Sequence, residues 1–145
     1  MLKAEIKRGT VRSTNNQRKK HYTQFTKKEL ELIEQRLSQL NFNVIVGSIH
    51  LQTKKAITYN VEDVRNVINN HDVIEYNLTK KRGMYQKRVL LKGKDVVETD
   101  QGKANLCIVV NLKTAEIVTA YYNIIGDDHR TINWDRYDSS LKIIL

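Results

Sequence analysis

Proline is missing from all 145 residues. No segment is therefore interrupted by a residue that cannot donate a backbone hydrogen bond. Cysteine occurs once, as Cys107 inside the apolar run Leu106-Cys107-Ile108-Val109-Val110, which excludes a disulfide framework within one chain. A thiol in such a run is expected to be buried in a reducing compartment. No apolar stretch approaches the roughly 18 residues of a spanning helix. The basic N-terminus has no apolar stretch behind it, so neither a membrane partner nor a signal peptide is expected, and the expected location is the cytoplasm. A glycine-rich phosphate loop and a serine nucleophile elbow are both absent. Asp127-Asp128-His129 is the nearest approach to a metal site. Its adjacent carboxylates point in different directions and no second ligand cluster has a suitable spacing, so no metal and no cofactor is expected.

What the chain does have is positive charge, +9 in all. Residues 1–28 hold nine Lys/Arg against Glu5 alone, or +8, and the remaining 16 Lys/Arg and 15 Asp/Glu leave residues 29–145 at +1. Read this way, the basicity belongs to an N-terminal arm. Residues 1–24, polar and containing Ser13-Thr14-Asn15-Asn16-Gln17, are expected to be largely disordered, with 25–145 forming one domain. Such an arm either contacts nucleic-acid phosphates, through residues such as Arg18, Lys19 and Lys20, or is a solubilising leader.

Apolar periodicity gives the elements. Thr26 and Glu29 form a capping box, Phe25 and Leu30 a hydrophobic staple, and Leu30, Ile33, Leu37 and Leu40 one helix face. Val44-Ile45-Val46 is a strand or the lead-in to a helix capped by Ser48, which puts His50 on the first turn and Lys54 four residues on. Asn60 caps a further helix with the stripe Val61, Val64, Val67, Ile68. The period then changes from 3.6 to 2. Strands are expected over 73–78, 85–92, 104–111 and 116–123, with turns at Lys80-Lys81-Arg82-Gly83, Gly93-Lys94-Asp95 and Lys113-Thr114-Ala115, and one more strand over 140–145. The expected fold class is α+β, with N-terminal helices packed on an antiparallel sheet of about four strands.

Two series of motifs resemble a known group. The first is Ser48-Ile49-His50-Leu51 with Lys54, then Val61-Glu62-Asp63-Val64, then His71-Asp72-Val73-Ile74-Glu75-Tyr76. The second is Val109 to Thr114, Val118 to Asn123, and Asp128-His129 followed by Thr131-Ile132-Asn133-Trp134 and Tyr137. Together they resemble the barnase/colicin D/RelE superfamily of metal-independent ribonucleases over roughly residues 46–138. Lys54 stands where that group has arginine, and Leu51 where it has alanine. The resemblance implies a RelE/colicin D-like fold and RNA, tRNA among the candidates, as substrate.

On this reading His50 takes the 2′-hydroxyl proton; the alternative is a helix-start histidine bonded to backbone. Lys54 and Lys55 hold the scissile phosphate or form a solvated helix face. The resemblance suggests a cleft-facing phosphate contact for Arg88; a solvent-side arginine is the alternative. Lys87 points the other way, so only one of the two serves. Thr119, Tyr121 and Asn123 share a strand face that either orients substrate or pairs across strands. His129 is the acid candidate or caps its loop. Trp134 and Tyr137 stack a base or pack on the sheet, and Arg82 is a further candidate nucleic-acid contact. The leading expectation is an endoribonuclease that leaves a 2′,3′-cyclic phosphate. The alternative is a non-catalytic phage or mobile-element module that binds nucleic acid or a host protein. An antitoxin or immunity protein is a further possible partner.

Overall fold

One antiparallel sheet organises the interior in a computed structural model that describes residues 17–40, 61–125 and 137–145. The strands are β1 (Gln17–His21), β2 (His71–Lys81), β3 (Met84–Gly93), β4 (Val97–Thr99), β5 (Gly102–Asn111) and β6 (Ile117–Ile124). The helices among the described residues are α1 (Lys27–Gln39) and α2 (Val61–Asn69), with a single 3-10 turn at Tyr22–Gln24. All strand pairs are antiparallel, in the order β1-β2-β3-β5, with β6 also on β5. Ala104 pairs with both Val97 of β4 and Ile124 of β6, so β4 shares the edge of β5 used by β3.

The expected architecture of N-terminal helices on about four strands is therefore overturned. A six-stranded antiparallel sheet dominates, and its first strand precedes both helices. That strand, Gln-Arg-Lys-Lys-His, lies in the segment expected to be a disordered arm. Its residues lack apolar alternation, and what orders them is the ladder to β2 and a set of ion pairs from distant elements. A lysine-rich strand at a sheet edge is a usual way to discourage edge-to-edge aggregation. The short β4 was not expected from the sequence, and the expected strand over 140–145 is not formed.

Alternation along the strands separates two faces. One carries Val73, Tyr76, Val89, Leu91, Leu106, Ile108, Val110 and Ala120, all buried. It is covered by Ile33 and Leu37 of α1, Val64 and Val67 of α2, and Leu141. Burying such side chains supplies about 1.5–3 kcal/mol each relative to leaving them in water. The capping box starts α1 as the spacing predicts: the Glu29 N–H donates to Thr26 Oγ1 at 3.1 Å and the Thr26 N–H to Glu29 Oε1 at 2.9 Å. Leu30, expected on the buried stripe, is instead 39% exposed. His71 joins the two helices. Its Nδ1 donates to the Val67 carbonyl at 2.9 Å, and its Nε2 lies 2.7 Å from Glu34 Oε1.

Close approach sets the base of the β2–β3 hairpin. A Cβ built on Gly93 would lie 2.8 Å from Val67 Cγ2 and 3.2 Å from the Leu106 carbonyl, so only glycine lets α2 sit this near the sheet. At the other end, the two-residue turn Arg82-Gly83 has φ of 52° and 79°. Positive φ at both central residues is the hairpin turn whose twist matches the strands, and it is usually made by Asn-Gly.

Candidate functional site

The second face of the sheet is polar. The register puts Lys19, Asn77, Arg88 and Asn111 in one row across β1, β2, β3 and β5. The next row holds His21, Glu75, Leu90, Val109 and Thr119. Tyr121 faces Cys107 and Asn123 faces Asn105 farther along the same face.

Arg88 is the centre of this surface. Its flanks are amides. Gln86, two residues away on the same strand face, accepts a short hydrogen bond from Arg88 Nη2. Asn77 Oδ1 accepts from the Thr79 hydroxyl. Asn111 Oδ1 accepts from the backbone N–H groups of Lys113 at 2.9 Å and Thr114 at 3.1 Å, which fixes the β5–β6 turn. These amide oxygens each have a donor, whereas Arg88 Nε is buried with no hydrogen-bond partner among the described residues. No carboxylate lies within salt-bridge distance of the guanidinium among those residues. Burial lowers its pKa, and the charge of Glu116 opposes that shift. An arginine stays a cation at neutral pH in either case. The site is thus a half-buried positive charge with an unused donor, a setting that suits an oxyanion such as phosphate.

Lys87 and Arg88 do point to opposite faces: Lys87 pairs with Leu78 on the helix-covered side, and Arg88 with Asn77 on the polar side. Thr119 lies on the polar face opposite Val109. Two strand spacings, about 10 Å, separate its strand from that of Arg88, so the two share a surface without touching. Arg82 sits exposed at the hairpin turn. His50, Lys54, Lys55, His129 and Trp134 lie outside the described residues.

Four expected nucleic-acid contacts are committed elsewhere. Arg18 donates to Asp138 Oδ2, from Nε at 3.1 Å and from Nη2 by a shorter bond, and the Asp138 side chain is fully buried. Lys19 Nζ is 3.6 Å from Glu75 Oε2. Lys20, 7% exposed in its side chain, donates to Glu29 at 2.9 Å and 3.1 Å. Three successive cations are thereby neutralised by carboxylates from the C-terminal segment, β2 and α1. Tyr137 is buried rather than available for stacking. Its hydroxyl donates to Glu75 Oε1 at 2.6 Å, its ring meets His21 edge-on, and its backbone bridges Lys19. Burial, with the neighbouring Glu75 charge, pushes that phenol's pKa upward. Cys107 is fully buried as expected, and burial raises its thiol to about 11 against the opposing influence of Lys92 and Tyr121.

Sequence reasoning missed the amides around Arg88 and a stretch of the sequence that holds cations and no acids. From Tyr76 to Lys94 there are seven Lys/Arg and no Asp/Glu. Averaging charge over residues 29–145 hid this run; a short window would have found it. Among the described residues no three His, Cys, Asp or Glu converge as metal ligands, and no helix is long and apolar enough to cross a membrane. Compared with known proteins, the chain matches no family model, no curated protein and no solved structure.

Proposed function

We propose that this protein binds RNA on the polar face of its sheet and cleaves it without a metal ion. The observation that carries the reading is Arg88: a half-buried guanidinium among amides, with Nε unpartnered and no carboxylate within salt-bridge distance among the described residues. Internal arginines are ordinarily satisfied by carbonyls or carboxylates, because an unpaired buried donor is costly. A phosphate oxygen supplies the acceptor that Arg88 Nε lacks among the described residues.

In the cleavage step His50 accepts the 2′-hydroxyl proton, and that oxygen attacks the adjacent phosphorus. Arg88 and Lys54 offset the charge of the phosphorane. His129 gives a proton to the departing 5′-oxygen, which leaves a 2′,3′-cyclic phosphate on one fragment and a 5′-hydroxyl on the other. The roles of His50, Lys54 and His129 are supported by the sequence motifs. The lone reduced thiol supports a cytoplasmic setting.

Incubation of the full chain with RNA in EDTA tests this. Fragments ending in a cyclic phosphate are expected, with loss of cleavage in His50→Ala. Arg88→Gln is expected to slow cleavage about 10²-fold, the scale for removing one donor to a developing charge. A second reading has one observation in its favour: the described neighbours of Arg88 are amides, which bind but do not transfer protons. Binding of RNA that stays intact would establish that reading, a non-catalytic nucleic-acid module, in place of the enzyme.

A further inference from the structure

The β2–β3 hairpin has two functionally different ends. Near its base the strands are clamped between β1, β5 and α2. Toward the turn β3 runs past β5, while β2 stays paired with β1 as far as Thr79. β3 pairs with β5 only from Arg88 to Lys92, and the last tie on that side is the Leu112 N–H donating to the Lys87 carbonyl at 2.8 Å. Met84, Tyr85 and Gln86 extend past β5, about 10 Å of strand. Met84 is 68% and Tyr85 57% exposed, and Lys80 and Arg82 are exposed beside them.

This end is cationic without compensation. Glu75 and Asp95 are the nearest acids in sequence on either side. Among the described residues, no carboxylate lies within salt-bridge distance of Lys80, Arg82 or Lys87. Lys80 Nζ stands 5.9 Å from the centre of the Tyr85 ring, a cation–π contact that positions the charge without neutralising it. Arg82 adopts φ 52° at a turn position where asparagine or glycine sits with less strain. A residue kept in a disfavoured backbone region is a pointer to function, and here the side chain it keeps is a cation at the apex.

We propose that this hairpin tip is an RNA-gripping finger. Lys80, Arg82 and Lys87 contact successive backbone phosphates at a distance from the reacting bond, adding affinity without reading sequence. The inference rests on the RNA reading above and locates a second contact for the same substrate: Lys80 and Lys87 share the strand face opposite Arg88, and the RNA passes from one face to the other around the exposed turn at Arg82. A phosphate chain fits the tip better than a base-reading role would allow, because charge is abundant there and Lys80 already occupies the Tyr85 ring.

The test is fluorescence anisotropy of a labelled 20-nucleotide RNA of mixed sequence with the full chain, titrated across NaCl concentrations. The variant is Lys80→Gln/Arg82→Asn/Lys87→Gln, in which asparagine preserves the turn geometry; circular dichroism checks its fold. Loss of three phosphate contacts is expected to weaken binding at least about tenfold at low salt. It is also expected to flatten the slope of log K against log[NaCl] by about 2, since each contact to a single strand contributes about 0.7. A second RNA of unrelated sequence is expected to lose affinity equally. Wild type that binds RNA with a variant of unchanged affinity and slope overturns the finger and leaves the RNA reading standing. Wild type that binds neither RNA overturns the RNA reading, and the finger with it.

Discussion

Two basic stretches of this chain look alike on paper and are opposites in space. Arg18-Lys19-Lys20 and Lys80-Lys81-Arg82 are both runs of three cations. In the first, each residue meets a carboxylate from a different part of the fold: Asp138, Glu75 and Glu29. In the second, Lys80 and Arg82 have none among the described residues. The first run is fastening, whereas Lys80 and Arg82 of the second stay exposed. Charge density along a sequence is therefore no guide to a nucleic-acid surface until the acids that fold onto it are counted. The distinction follows from cost: a buried cation must be paired, whereas one on a projecting turn stays hydrated.

Substitutions sharpen the contrast. The largest effect is expected from Asp138→Ala. It strips Arg18 of its partner and leaves the Ser140 N–H and hydroxyl, now bonded to Asp138 Oδ1 at 2.9 Å and 2.6 Å, without an acceptor. A loss of about 2–3 kcal/mol in urea unfolding is expected, below the range for a fully buried pair because Arg18 is 42% exposed. Lys87→Gln is expected to change stability by under about 0.5 kcal/mol. Similar losses from the two would erase the comparison.

Next comes the hairpin itself, base against tip. Gly93→Ala forces a methyl against Val67 and is expected to cost about 1–3 kcal/mol by thermal or urea unfolding. The tip responds in the other direction: Arg82→Asn relieves the left-handed backbone and is expected to stabilise by about 1 kcal/mol while weakening RNA binding. Stabilisation without any loss of binding would mean that the arginine has no role at the apex.

The smallest effect at neutral pH, and a growing one in acid, concerns the carboxylates of the first stretch. Burial tends to raise Asp138, but bonds from Ser140 and Arg18 outweigh it and hold the group below its ordinary value of 3.8. Burial likewise tends to raise Glu29, but the Thr26 N–H and Lys20 outweigh it and hold the group below its ordinary value of 4.5. Groups depressed on folding contribute stability that is complete above their unfolded pKa and is lost as pH falls through the folded one. Urea midpoints are therefore expected to hold steady from neutrality down to about pH 5. Below the ordinary values of 4.5 and 3.8 they are expected to fall, less steeply in Glu29→Gln. A flat profile through pH 3 would show that the β1 cations are not fastened as described.

Much of the scaffold was legible in the sequence. The Thr26/Glu29 box, the Val64/Val67 stripe and the strands from Val73 to Asn123 follow from local chemistry and period, which act over a few residues. The opposed directions of Lys87 and Arg88 followed from alternation alone. What could not be read was long-range. β1 exists because Asp138, 120 positions from Arg18, reaches it. Tyr137 is held in the interior where Glu75, 62 positions away, accepts a hydrogen bond from its hydroxyl. The sheet therefore came out wider than four strands, and its strands, not N-terminal helices, set the architecture. At the candidate site, alternation placed Arg88 on the face opposite Lys87, and its phosphate role came from the resemblance alone. Its amide neighbours Asn77 and Asn111 required the register.

The contact of Tyr137 and Asp138 with β1 has a consequence for colloidal behaviour. The Asp138 N–H donates to the Lys19 carbonyl at 2.7 Å, and Tyr137 bridges Lys19 in parallel, so a short piece of chain covers the outer edge of β1 at its middle residue. Cutting the polypeptide before Tyr137 would uncover that edge and also withdraw Leu141 from the interior. The shortened protein would offer backbone donors and acceptors to its own copies, and precipitation, rather than loss of any single contact, would be its defect.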